Sequence, residues 1–142
     1  MNTRGVSLIE LLIVLSIISV LALIAVPAYL GQQKSAARTE AYSNLENLRL
    51  LEEQYFAENS CYYKNAGGVC TNTSVSGTNN VKAFLPGFKP GDTAALSFDY
   101  SLSVYAVSGA NAGGFTATAA GKTNTRVSGD SFWINHDNSK NF

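Results

Sequence analysis

Apolar residues fill the chain from Leu11 to Leu30 almost without a break, and no charged residue lies between Glu10 and Lys34. About 20 such residues, rising 1.5 Å each as an α-helix, cross a hydrocarbon layer about 30 Å thick. No polar face survives between Leu11 and Val26, so a helix lying flat in the interface does not fit. The run also outlasts the roughly 7–15 apolar residues of a cleaved secretory signal. At Lys34 the pattern changes. Through Glu58 the chain is charged, rich in Leu, Ala and Glu, and free of Gly and Pro. Ala37, Ala41, Leu45, Leu48, Leu51 and Tyr55 recur at three- and four-residue spacing, which predicts a helix with one apolar stripe. Arg38, Glu46, Arg49 and Glu53 take much of the remaining circumference, and Glu46 with Arg49 and Glu52 with Tyr55 or Phe56 belong to an exposed rim. The stripe lasts under about three and a half heptads and lacks steady flanking charges, so it reads as core packing rather than a coiled coil. If Pro27 only kinks the helix, residues 6–58 form one rod of about 80 Å.

Asn59 and Ser60 end the helical pattern, and Gly67, Gly68 and Gly77 mark a polar loop through about Asn80. Three later runs alternate as strands do: 96–104, extendable through Tyr105-Ala106-Val107, then 114–119 and 132–134. Gly- and Asn-rich turns at 108–113 and 121–129 separate them. The fold class is therefore α+β, a long amino-terminal α-helix whose second half packs on a carboxy-terminal antiparallel β-sheet. The segments are residues 1–5, an apolar membrane helix at 6–30, its amphipathic continuation at 31–58, and a globular head at 59–142.

Charge and composition narrow the function. Ten Lys and Arg balance ten Asp and Glu, and charged residues make up 14% of the 142, against about 25% in an average domain. The head holds six basic and four acidic residues, an excess too small for a nucleic-acid partner. One His and two Cys leave no His- or Cys-rich metal site, and no cofactor motif is present. Asp130, Asn135, His136, Asp137 and Asn138 cluster in sequence but lack a calcium-loop pattern, and read as a solvated turn. His136 has no nucleophile with an acid partner, so no catalytic residue is assigned and the chain reads as a non-enzyme. Gly109, Gly113 and Gly114 are turn glycines, and Asn72-Thr73-Ser74 matches only the minimal glycosylation sequon.

Arg4 and the amino terminus precede the apolar run, which keeps that end cytoplasmic and sends the remainder outward. Cys61 and Cys70 then lie in an oxidising space, and a disulfide closing the short loop between them is expected. Their spacing is not the C-x-x-C of a redox-active pair. Two residues exceed what a plain anchor needs. Glu10 opens the apolar run, where a deep carboxylate costs up to about 2.5–3.5 kcal/mol. Pro27 removes one intrahelical hydrogen bond near the outer end.

Gly5-Val6-Ser7-Leu8-Ile9-Glu10-Leu11-Leu12-Ile13-Val14 resembles the processing and methylation motif of type IV pilins and of the pilin-like proteins of type II secretion. Gly5, Val6 and Glu10 match by position, and Pro27 and Tyr29 fall where that family places a Pro and an aromatic. The leader that the resemblance implies, Met1–Gly5, is very short, Val6 replaces the usual Phe, Ser19 stands where Gly is common, and the Cys pair follows the helix instead of bracketing a carboxy-terminal loop. The resemblance implies cleavage between Gly5 and Val6 by a prepilin peptidase and N-methylation of Val6. It also implies that Glu10 neutralises the amino terminus of a neighbouring subunit, with Pro27 as a second assembly residue.

By the same resemblance the chain is a structural subunit of a type IV pilus filament, a helical homo-oligomer serving adhesion, motility or related surface functions. It would pass through the inner membrane as a single-pass subunit, meet a pilus or type II secretion assembly platform, and end in an extracellular filament. A type II secretion pseudopilin or minor pilin is the nearest alternative. A membrane-anchored extracytoplasmic binding domain that never polymerises is the other.

Overall fold

The structure is a computed structural model that describes residues 5–106, 108 and 113–142. It divides into two compact units, Met1–Ala36 and Ala37–Phe142. Helix α1 spans Leu8–Asn59 and contains Pro27; strand β1 covers Thr73–Ser76, helix α2 Thr78–Phe84, β2 Phe98–Tyr105, β3 Gly114–Gly121 and β4 Ser131–Asn135. The strands form one antiparallel sheet in the order β1-β2-β3-β4.

In the second unit the α1 stripe meets the inner sheet face. Ala41, Leu45 and Leu48 are buried, with Ala37, Leu51 and Tyr55 half-buried beside them. β2 alternates strictly, turning Phe98, Tyr100, Leu102 and Val104 inward. Its register sets Tyr100 opposite Ala119 and Leu102 opposite Ala117. Large side chains thus face small ones across the strand pair, which fills the layer without overpacking. Each fully buried Leu contributes about 1.5–3 kcal/mol. The Tyr100 hydroxyl would be costly to bury alone; it accepts a hydrogen bond from Asn44 Nδ2 on α1 at 2.8 Å. Arg38 closes one end of this interface with two bonds to Asp130, 2.9 and 3.0 Å.

The outer edge of β4 is covered by the residues that follow it. Asn135 N–H donates to the Ser139 carbonyl at 2.9 Å, and Asn141 N–H to the Trp133 carbonyl at 3.4 Å. Trp133 N–H donates to Asn141 Oδ1 at 2.8 Å.

Several expectations change. The stretch anticipated as loop through Asn80 contains β1 and the start of α2. β1 carries one large apolar side chain, Val75, and exists because β2 supplies its hydrogen-bond partners. α2 opens with Thr78-Asn79-Asn80, poor helix formers, but Asp99 fixes its start: Asp99 Oδ1 accepts from Thr78 N–H at 2.8 Å and from Thr78 Oγ1 at 2.5 Å. The first predicted strand begins at Phe98 rather than Leu96 and extends through Tyr105, while the third widens to Ser131–Asn135. Val107 and most of the 108–113 turn lie outside the described residues.

Glu52 requires a larger correction. Expected on an exposed rim, it is instead fully buried. The buried series runs 41, 45, 48, 52, so the inward step after Leu48 is four residues and falls on Glu52. Leu51, one position earlier, is half-buried and packs over Gly87, where a Cβ would come within 2.7 Å of Leu51 Cδ2.

Candidate functional site

The first unit carries the motif residues. Gly5, Val6 and Ser7 precede the helix, and Glu10 stands in its first turn. Ser7 N–H donates to Glu10 Oε2 at 2.8 Å, and the Ser7 carbonyl accepts from Leu11 N–H at 3.2 Å. This is half of a capping box: the third helical residue reaches back to the N-cap amide and satisfies a donor the helix cannot. A carboxylate there also faces the positive end of the helix dipole. Ser7-x-x-Glu10 before an apolar run is the sequence signal of this cap, a role for Glu10 beyond those its motif position implies.

Beyond Glu10 the side chains stand open. Leu12 is 58% exposed, Ile18 55% and Leu23 76%. The two serines in the stretch hide their hydroxyls, Ser16 Oγ donating to the Ile13 carbonyl at 2.7 Å and Ser19 Oγ to the Leu15 carbonyl at 2.8 Å. Such back-bonding leaves an outer surface that is apolar all round. Pro27 lies inside the helix and deprives the Leu23 carbonyl of its usual donor. Among the described residues α1 is the helix long and apolar enough to cross a bilayer.

In the second unit Cys61 and Cys70 are joined, with their Cα atoms 6.1 Å apart. Asn65 shapes the enclosed turn, its Oδ1 accepting from Gly67 N–H and Val69 N–H at 3.0 Å each. Gly68 follows at φ 74°, a left-handed conformation that suits glycine. The carboxy-terminal candidates do not converge. Asp130 pairs with Arg38, Asp137 accepts from Ser139 N–H at 2.9 Å, and Asn135 Oδ1 accepts from Thr116 Oγ1 at 2.8 Å. His136 lies among rings, 6.0 Å from Tyr105 and 6.4 Å from Phe115 by centroid. Among the described residues no three His, Cys, Asp or Glu side chains gather as a metal would require.

The geometry at the amino end defines a class: a lone carboxylate capping a helix whose first half is exposed and apolar, behind a Gly-Val junction. Residues 1–26 match the model of the prokaryotic N-terminal methylation motif. The chain is similar to the type IV major pilin protein PilA of Myxococcus xanthus, at 41% identity over 61 residues, 43% of this chain and 28% of that protein. It is also similar to the type IV wide pilus major component PilA4 of Thermus thermophilus, at 38% identity over 64 residues, 45% of this chain and 49% of that protein. The matched stretch thus spans half or less of each relative's length. No solved structure matches.

Proposed function

We propose that this chain is a structural, non-enzymatic subunit of a type IV pilus filament, cut between Gly5 and Val6, N-methylated at Val6, and polymerised through the apolar half of α1. The carrying observation is the open apolar surface of α1 with Glu10 at its start, behind a methylation motif. A surface so apolar has to be covered. A bilayer covers it before assembly, and copies of the same helix cover it afterwards. The reading includes a prepilin peptidase and an assembly platform as partners, and an inner-membrane stage before the extracellular one. Two relatives described as major pilus components favour a major subunit over a pseudopilin.

Within the filament Glu10 neutralises the Val6 amine of an adjoining copy. Removing one partner of a buried charge pair costs about 3–5 kcal/mol. Glu10→Gln is therefore expected to yield a processed, membrane-inserted subunit with few or no filaments. Intact-mass measurement of sheared surface filaments tests the whole reading: the expected chain begins at methylated Val6 and dominates the material. A mature protein still beginning at Met1, or abundant normal filaments from Glu10→Gln, overturns it.

A further inference from the structure

Glu52 is the last buried position of the α1 stripe, and its residue is 0% exposed. Neither carboxylate oxygen has a hydrogen-bond partner among the described residues. Among the described residues no ion pair or hydrogen bond reaches it, although Arg49 Nε is likewise buried without a hydrogen-bond partner. The charge acting on it is that of Glu53, of like sign. Arg49, one turn earlier, is directed to Glu46, with Nε 3.5 Å from Oε2. From the segment after α1 comes Tyr62, whose hydroxyl donates to Glu53 Oε1 at 3.2 Å. The Tyr62 ring packs on Phe56 at 4.6 Å and on Phe115 at 5.0 Å, by centroid. From the sheet side, His136 stands 6.3 Å from the Tyr62 ring, with Tyr105 beyond it. An ionised carboxylate in such a place is far costlier than the neutral acid, which loses only ordinary hydrogen bonds.

We propose that Glu52 is held as the protonated acid in the folded head and acts as an alkali-sensitive latch, whose ionisation loosens Tyr62 and the disulfide-closed loop from α1. The inference is independent of the filament reading. Burial first, and Glu53 second, raise the Glu52 carboxyl from 4.5 to about 8. Between those values the folded chain holds a proton that the unfolded chain has released. The contribution is therefore fully present below the ordinary carboxylate range and declines as pH rises, by tenfold in the folding constant per pH unit, levelling off above about 8. Neutral to mildly alkaline medium is the window in which the latch works.

The test uses the full chain in detergent micelles. Infrared spectra are expected to show the carbonyl stretch of a protonated carboxylic acid at pH 7, absent from Glu52→Gln and lost from the natural chain above the transition. The natural chain's melting midpoint should fall between pH 6 and pH 8.5, and the difference from Glu52→Gln should follow one proton. Amide protection of residues 61–70, relative to β3, should drop over the same interval in the natural chain only. A spectrum with no protonated acid at pH 7, or a melting difference independent of pH, overturns the proposal. Should Glu52→Gln fail to fold, Glu52→Leu replaces it, and the infrared band is read as the difference between the natural chain and that variant.

Discussion

Cutting the Cys61–Cys70 link provides the most direct measure of what stabilises the head. The two residues are nine apart in sequence. Closing so short a loop removes about 2.7 kcal/mol of chain entropy from the unfolded state. Cys61 is buried and Cys70 exposed, so truncating both to Ala adds a further loss on the Cys61 side only. At about 4–8 °C per kcal/mol for a domain of this size, the link is worth roughly 10–20 °C in melting midpoint. The protein contains one Trp, Trp133 in β4, whose fluorescence reports the sheet. The full chain in micelles, oxidised and then reduced, and the Cys61→Ala/Cys70→Ala double variant should therefore give three melting curves. The reduced natural chain should fall well below the oxidised chain, and the variant somewhat lower still because it also loses the buried Cys61 side chain. A reduced chain melting within a degree or two of the oxidised one would refute the loop-entropy account and place the loop's stability in its turn contacts instead.

Two further substitutions probe the sheet. Gly121 ends β3 and donates its N–H to the Asp130 carbonyl at 2.8 Å, while an added Cβ would fall on the Val127 carbonyl oxygen. That oxygen belongs to the backbone and cannot rotate aside, so Gly121→Ala should cost about 3 kcal/mol or more in urea unfolding; a neutral result would show that the 127–130 turn shifts freely. Asp99→Ala leaves Thr78, only 4% exposed, without the acceptor of its N–H and hydroxyl, an expected loss of about 1–3 kcal/mol at neutral pH. Burial pushes the Asp99 carboxyl up, but the Thr78 hydroxyl and amide outweigh it and hold it below its ordinary 3.8. The folded chain thus binds this proton less readily than the unfolded one, and the stabilisation present above 3.8 is lost as pH falls. Unfolding curves of the natural chain and Asp99→Ala should converge on acidification; a gap that persists in acid would contradict this assignment.

The features readable in sequence were those with a long repeat or a fixed spacing. The unbroken apolar run, the 41-45-48 stripe and the alternation of Phe98, Tyr100, Leu102 and Val104 each write one face of an element many times over. β1 and α2 escaped because their cause is non-local. Val75 alone carries no alternation, and Thr78 is helical through a carboxylate 21 residues away. Glu52 escaped for a different reason: a charged residue beside Leu51 is read as a rim residue unless the helical phase is followed strictly from Leu48. At the amino end, Gly5, Val6 and Glu10 were legible as a motif, and the bond from Ser7 N–H to Glu10 was written in Ser7-x-x-Glu10 but masked by the motif that shares the same residues.

The folded-back segment along β4 bears on how many heads can be crowded together. A bare edge strand is a template for another chain's strand, and the hazard grows with local concentration. Here the outward amide and carbonyl of Trp133 are already occupied by Asn141, and the opposite border of the sheet is the four-residue, mostly polar β1. In the proposed filament, neighbouring copies would thus be denied backbone stitching on the β4 side and left there with side-chain contacts, which can be made, slid and broken without drawing the sheets into a fibre of the wrong kind.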